Sequence, residues 1–408
     1  MCRAAPPARA TVQHRVDLAD IFRAHGPEYR QTHTLAFAQR RTMRAIENCR
    51  TAALGGHKQV CDACGAIRIT YNSCRNRHCP KCQTLAKQRW LEDRHAELLP
   101  VHYFHLVFTL PHELNPFAQG NPRLIYDLMF QSMADTLGSF AADPKRFGGQ
   151  LGVTAILHTW GQNLSQHLHL HCVVTGGVLA HDGSRWIHAK ANFLFPVRAL
   201  SMVFRAKFLD GLRSAFDAGH IAFSGSTVSL AEPDAFARWI RRLRRKVWIV
   251  YAKRPFAGPT QVLDYLGRYT HRVALSNERI LGLERGLVRF RWKDYADGNT
   301  VKIMQLAATE FIRRFLLHVV PDGFVRIRHF GILANRNRKE KLERCRQLLR
   351  QPQPVAPLVP ESVRAMMLRL CGVDIDLCPL CRRGHMRVTE VLQPIHLVPV
   401  IPHGWDSS

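Results

Sequence analysis

Residues 166–175 read Gln166-His167-Leu168-His169-Leu170-His171-Cys172-Val173-Val174-Thr175. The pattern has a period of two. A strand sends successive side chains to opposite faces, so His167, His169 and His171 share one face and Leu168, Leu170 and Cys172 the other. Three imidazoles on one face can converge on a divalent cation. A strand with polar histidines turned to solvent gives the same pattern, and at this point both readings stand. Upstream, Gly152 to Thr159 reads as a second strand joined by a short loop. The segment Leu157-His158-Thr159-Trp160-Gly161-Gln162-Asn163 offers His158 and Gln162 as further ligands from that strand and loop.

Working outward, Val101 to Leu110 reads as a strand closed by Pro111, and Asn121-Pro122 as a helix start with Asn as N-cap and Pro in the first turn. Residues 11–50 are helical in pattern, and residues 57–82 are cysteine-rich and irregular. Helices are expected at about 196–218 and 234–246, and a strand from Val247 to Ala252. A helix opens at Gly258-Pro259, and strands follow near 280–284, 287–293 and 299–305. A helix at about 306–318 and a strand from Phe324 to Arg328 close the series. Short strands and helices without a strict βαβ rhythm predict an α+β fold around a largely antiparallel sheet. The stretch Gln351-Pro-Gln-Pro-Val-Ala-Pro-Leu-Val-Pro360 reads as a linker. The expected division is a helical and zinc-binding domain over residues 1–100 and a catalytic domain over 101–330. A basic arm, linker and cysteine-containing tail then cover 331–408.

The chain has 408 residues with 58 Lys+Arg against 31 Asp+Glu, a formal net charge of +27. A few net charges suffice for solubility, so the excess points to a polyanionic partner, DNA or RNA. Hydrophobic content of 46% excludes a disordered basic tail. Size excludes a small disulfide scaffold. No apolar run approaches the roughly 20 residues of a membrane span, and the N-terminus lacks the apolar core of a signal peptide. The expectation is a soluble intracellular protein. From Phe236 to Arg350 there are 27 Lys+Arg against 9 Asp+Glu. Phe236, Trp239, Ile240 and Leu243 form one helical face. Arg241, Arg242, Arg245 and Lys246 fall mostly elsewhere on that helix as candidate phosphate ligands. Arg326 to Arg350 is a second basic run, expected as an exposed arm or helix. The charge as a whole reads as the walls of a DNA channel.

Five of the twelve cysteines fall between residues 61 and 82. Cys61-x2-Cys64 and Cys79-x2-Cys82, 14 residues apart, suit one tetrahedral structural zinc. Cys74, His57 and His78 lie close enough to substitute for a ligand or to share a second ion. Cys378-Pro-Leu-Cys381 is a further knuckle, with Cys371 and His385 as candidate partners in a second zinc site. Cys2, Cys49, Cys172 and Cys345 read as ordinary thiols.

The segment Tyr265-Leu266-Gly267-Arg268-Tyr269-Thr270-His271-Arg272 sets Tyr265 and Tyr269 one helical turn apart, with Arg268 and Arg272 beside them. Helical spacing of aromatics often means core, but Val262, Leu263 and Leu266 already supply an apolar stripe. A tyrosine hydroxyl can attack a phosphodiester, leaving a 5′-phosphotyrosine and a free 3′-OH, and a histidine-held cation can polarise the phosphoryl oxygen. Rejoining then needs no nucleotide, and no GxxxxGK[ST] loop is present.

With these elements in place, the sequence resembles the two-tyrosine HUH transposases of the insertion sequence 91 family. The resemblance rests on the cysteine segment Cys61 to Gln83, the strand Phe-Thr-Leu-Pro-His-Glu-Leu, the segment Leu157 to Gly177, and the tyrosine segment running on to Asn277. It covers most of residues 40–330. It departs at Leu168, where the family pattern has proline. The resemblance implies that His169 and His171 are the HUH pair, with His167, Gln162 or His158 as third ligand, and that Tyr265 and Tyr269 are nucleophiles. It implies structural Zn²⁺, catalytic Mg²⁺ or Mn²⁺, and single-stranded element termini and target as partners. The implied fold is a compact antiparallel sheet with the HUH strand central and the tyrosine helix beside it. A rolling-circle replication initiator or relaxase would use the same chemistry. A non-catalytic zinc-dependent DNA-binding regulator would explain the charge and the cysteines alone.

Overall fold

The computed structural model describes residues 15–256, 261–262, 267, 273–295, 297–350 and 361–395. Its strands are β1 (Gly56–Cys61), β2 (Ile67–Tyr71), β3 (Tyr103–Thr109), β4 (Gly149–Gln150), β5 (Gly152–Trp160), β6 (Gln166–Thr175) and β7 (Gly177–Ala180). They continue as β8 (Trp186–His188), β9 (Val250–Phe256), β10 (Ile280–Glu284), β11 (Leu287–Asp294), β12 (Thr300–Ala307), β13 (Ile327–Gly331) and β14 (Met386–Leu392). The helices are α1 (Leu18–Thr32), α2 (Phe37–Glu47), α3 (Gln83–His95), α4 (Asn115–Gly120) and α5 (Pro122–Ala142). After them come α6 (Val197–Asp217), α7 (Pro233–Arg245), α8 (Ala308–Leu316), α9 (Arg338–Leu348) and α10 (Val363–Cys371). Every ladder between these strands is antiparallel, so the fold is α+β with antiparallel sheets, as the sequence predicts. Among the described residues no helix is long and apolar enough to cross a membrane.

The histidine strand β6 is the middle of a five-stranded sheet ordered β13-β5-β6-β3-β9. Its even-numbered residues Leu168, Leu170, Cys172 and Val174 are fully buried. They share a core with Phe104, Leu106 and Phe108 of β3, Val153, Ala155 and Leu157 of β5, and the apolar stripes of α5, α6 and α7. Helices therefore cover one face of the sheet. The other face carries the histidines. At one end it is covered by a second cluster in which Tyr103, Ile156 and Val173 meet Leu342 and Cys345 of α9, Val262, and the half-buried Trp90 and Leu91 of α3. The run Arg326–Arg350 is thus only partly an exposed arm, because α9 buries an apolar side against the histidine face.

The N-terminal pair α1–α2 packs on the separate sheet β10-β11-β12 and on α8 through Phe22, Phe290, Phe311 and Phe315. Helix α1 starts at a capping box, with Asp17 accepting from the Ala19 and Asp20 backbone. Helix α5 starts at Pro122 as expected, but Asn121 makes no cap bond. Its side chain instead exchanges two hydrogen bonds with the backbone of Ala222, both 2.8 Å. The segment expected to be irregular contains the hairpin β1–β2, and β14 adds to it across the chain to give the order β14-β1-β2.

Of the tyrosine segment, Gln261, Val262 and Gly267 are described and helical. Tyr265, Arg268, Tyr269 and Arg272 lie outside the described residues, as does the proline-rich stretch 351–360.

Candidate active site

A five-residue turn sets the register of the histidines. The Gly161 N–H donates to the Ser165 carbonyl at 2.8 Å, and Asn163 Oδ1 takes both the backbone N–H and the hydroxyl of Ser165. Leu164 bridges the turn in the left-handed region, φ 62°, a conformation that costs a branched residue unless packing holds it. Here the side chain is fully buried beside Trp160, and its carbonyl lies 3.2 Å from His318 Nε2. With the turn fixed, β5 and β6 pair so that His158 stands opposite His169 and Ile156 opposite His171.

The result is a group in which ligand nitrogens of His158, His169 and His171 all lie within 4.8 Å of one another. His158 and His171 are buried, at 2% and 8% exposure, and His169 is half-buried. Each member has a partner behind it. His169 Nδ1 donates to the His167 carbonyl at 2.9 Å, so the proton sits on Nδ1. His171 Nδ1 lies 3.0 Å from Nε2 of His105 on β3. Burial, with Lys253 and His169 nearby, pushes His105 down to about 3, so it is neutral at ordinary pH. His158 stacks on Trp160 with ring centroids 4.5 Å apart. Three imidazoles backed by oriented partners form the kind of donor set that holds a divalent metal while leaving coordination positions for substrate oxygens.

The other expected ligands stand outside this group of three. His167 shares the strand face, with its ring 4.8 Å from that of His169 and 5.8 Å from that of His112, but it is not in the group whose nitrogens all lie within 4.8 Å of one another. Its contribution to the group is the backbone carbonyl. Gln162 sits in the turn, where its side-chain amide donates to the Tyr295 hydroxyl at 3.1 Å and its backbone carbonyl accepts from Arg279. The structure thus groups His158, not His167 or Gln162, with His169 and His171. His105 was not expected at all. Its only sequence signal is its place among the odd-numbered residues of β3, the strand beside β6.

The cysteines regroup. Cys61, Cys64, Cys79 and Cys82 do not surround one point. Cys79, Cys82 and Cys74 join Cys49, with Cys49 Sγ 3.5 Å and Cys74 Sγ 3.6 Å from Cys82 Sγ. Cys61 and Cys64 join Cys378 and Cys381. The physical reason is the hairpin. Cys61 ends β1, and β1 pairs with β14, which carries the first knuckle toward the chain's end and away from the second. Cys371 is exposed and outside either group. His385 forms a bridge to Leu377 and donates its backbone N–H to Asp62, holding the loop without offering its ring. His57 and His78 belong to neither group.

In the first sulfur group the four thiols share protons unevenly. Cys82 is driven far down by S–H donors on Cys49, Cys74 and Cys79. Cys79 and Cys74 are driven up, chiefly by Cys49. Cys82 also stands at the N-terminus of α3, where the helix dipole favours a thiolate. A divalent cation would satisfy all four as thiolates. This group is wholly within residues 49–82, and Cys49 and Cys79 sit in the core of α1, α2, β11 and α8.

Phe236, Trp239, Ile240 and Leu243 of α7 are buried as predicted, and Arg241, Arg242, Arg245 and Lys246 are exposed. Lys246 pairs with Glu113. Helix α7 packs on the helical face of the sheet, the side away from the histidines. These arginines therefore do not line the histidine group.

Residues 152–341 match the family described as "Putative transposase", and residues 21–110 match the family described as "Transposase zinc-binding domain". The chain is 52% identical over 395 residues to "Putative transposase y4qJ" of Sinorhizobium fredii, covering 96% of this chain and 98% of that protein. It is 29% identical over 341 residues to "Transposase for insertion sequence element IS801" of Pseudomonas savastanoi pv. phaseolicola, covering 82% of this chain and 79% of that protein. No solved structure matches the chain. The likeness extends over nearly the whole length and includes both the zinc-binding unit and the histidine strand, and on that ground the chain belongs to the insertion sequence 91 family of transposases.

Proposed function

We propose that this transposase nicks and rejoins single-stranded DNA at insertion-element ends through a 5′-phosphotyrosine intermediate, driving rolling-circle transposition in the bacterial cytoplasm. The observation that carries the reading is the group His158, His169 and His171 on the central strand, with each member held by a partner behind it. A purely DNA-binding protein has no use for three imidazoles brought within 4.8 Å of each other on one sheet face.

The donor set fits a divalent cation, Mg²⁺ or Mn²⁺. His169 and His171 would offer Nε2, because Nδ1 of each is engaged with a neighbour, and His158 would complete the set from β5. Such a cation, when bound, polarises the scissile phosphate. The remaining chemistry belongs to the tyrosines. The Tyr265 or Tyr269 oxygen forms a bond to phosphorus as its proton leaves, and the bond from phosphorus to the 3′ oxygen breaks, giving a free 3′-OH. Reversal with a different 3′-OH rejoins the strands and frees the tyrosine. Two tyrosines one turn apart allow two such transfers in sequence.

Two described residues of that segment support its nearness to the histidines. Val262 is buried in the cluster on the histidine face. Gly267 lies so close to α3 that a Cβ there would meet Leu91 Cδ1 at 2.9 Å and Lys87 Cε at 3.1 Å. On this reading residues 101–330 form the catalytic unit, and Arg268 and Arg272 hold flanking phosphates.

The test is to incubate the purified chain and Mn²⁺ with end-labelled single-stranded DNA from the element's terminus and resolve the products on a denaturing gel. The expected result is cleavage with a covalent protein–DNA adduct, and its loss, with binding retained, in the Tyr265→Phe/Tyr269→Phe variant. An adduct that persists in the double variant overturns the nucleophile assignment. Binding without any cleavage by the unaltered chain turns the reading toward a non-catalytic regulator.

A further inference from the structure

The second sulfur group is assigned by neither family match, since the zinc-binding match ends at residue 110 and holds only half of it. Cys61 and Cys64 come from the end of β1. Cys378 and Cys381 come from the loop before β14. The cross-contacts are Cys61 Sγ to Cys381 Sγ at 3.7 Å and Cys64 Sγ to Cys378 Sγ at 3.8 Å. All four sulfurs lie within 4.8 Å of one another.

The two knuckles are built alike. In each, the residue after the second cysteine is left-handed, Gly65 at φ 69° and Arg382 at φ 53°. In each, that residue's N–H returns to the carbonyl of the first cysteine, Gly65 to Cys61 at 3.1 Å and Arg382 to Cys378 at 3.0 Å. The tail knuckle adds a Gly384 N–H donated to Cys381 Sγ at 3.4 Å, a bond that favours the thiolate. Cys381 is accordingly pushed down to about 6, first by Gly384. Gly384 is required where it stands, because a Cβ there would lie 2.5 Å from Cys61 Sγ. The frame holding the knuckles face to face is main-chain. Beyond the β1–β14 ladder, the Asp62 N–H donates to the His385 carbonyl at 3.0 Å, and the His385 N–H returns to Asp62 Oδ1 at 2.7 Å.

Little apolar surface backs this pairing. The apolar cluster here consists of three buried residues, Cys61, Cys378 and Met386. The flanking ion pairs, Lys58–Glu390 and Arg387–Asp62, are exposed and span 3.7 and 3.3 Å, so they contribute little. Arg68 also donates to the Ile375 carbonyl at 2.7 Å and Arg369 pairs with Glu92 at 3.0 Å, but these are polar ties, and a core this small gains most from a cross-link.

We infer that Cys61, Cys64, Cys378 and Cys381 bind a second zinc ion that clasps the C-terminal residues onto the N-terminal hairpin. Four thiolates close the coordination shell, so the ion is structural. The consequence is that the zinc-binding unit of this transposase is made from both ends of the chain. This inference rests on the sulfur geometry and does not depend on the tyrosine chemistry.

The experiment is metal analysis of the purified full chain. Two zinc equivalents are expected, falling to one in Cys378→Ser/Cys381→Ser. A wild-type chain with one equivalent, or a double variant that keeps two, overturns the clasp. A measurement on the unaltered chain covers the case in which the variant does not fold. After diamide oxidation of the thiolates and proteolysis, mass spectrometry should find disulfides joining the peptide of Cys61 and Cys64 to that of Cys378 and Cys381. Disulfides confined within each knuckle overturn it.

Discussion

The sulfur group of Cys49, Cys74, Cys79 and Cys82 and the nitrogen group of His158, His169 and His171 lie on either side of one residue. Trp160 belongs to the same core as Cys79 and stacks on His158. The two groups are nevertheless built for different ends. Four thiolates complete a tetrahedral shell and leave no position for substrate. Three imidazoles do not. Cys49 and Cys79 are buried in an aromatic-rich core, with Cys74 and Cys82 packed against it, while the histidines stand on a sheet face that, among the described residues, is covered at one end. The number of ligands and their surroundings, more than the presence of a metal, separate a structural centre from a reactive one.

The sharpest way to break this contrast is to remove one sulfur. Cys79→Ser should cost the first zinc and, because Cys79 sits among Phe22, Trp160, Phe290 and Phe311, should unfold the N-terminal region with it. We expect loss of soluble protein or a fall in melting temperature on the order of 10 °C, since structural zinc contributes several kcal/mol to folding. A variant that melts like the parent while lacking zinc would remove the structural role.

Changing the histidines should do the reverse. His169→Ala or His171→Ala should lower adduct formation by roughly 10²–10³-fold, the rate equivalent of several kcal/mol of charge stabilisation, with circular dichroism and zinc content unchanged. If either variant loses zinc from the thiolates, the two groups are not independent.

A smaller effect is expected behind the first. His105 touches no substrate on this account and only holds the His171 ring. His105→Ala should therefore weaken the affinity for Mn²⁺ by about 10–100-fold and leave cleavage at saturating Mn²⁺ near normal. An equal loss at every Mn²⁺ concentration would mean that His105 acts in the chemistry and not through His171.

The sequence made one of these groups easier to see than the other. Strand alternation was enough to place His167, His169 and His171 on one face, because a buried apolar side at Leu168, Leu170 and Cys172 fixes the register, while the strand's central place in the sheet was implied only by the family resemblance. Alternation could not choose the third ligand, since that depends on how the turn at Gly161–Ser165 sets β5 against β6. The cysteines misled by spacing. Two knuckles 14 residues apart fit one zinc by count, and nothing local reveals that β1 turns the first of them toward β14. Cys49 was legible only as a lone thiol after α2, because its partners lie beyond a hairpin. The basic helix α7 shows the same limit. Its buried stripe could be read from period, but which side of the sheet it covers is a property of the whole core.

The most direct measurement of the central claim treats the purified transposase with a mild chelator and follows zinc content and adduct formation together. The account predicts that the adduct disappears while the thiolate-bound zinc stays, and that Mn²⁺ alone restores the adduct. Adduct formation that ignores the chelator, or that returns only when zinc is also returned, would contradict it.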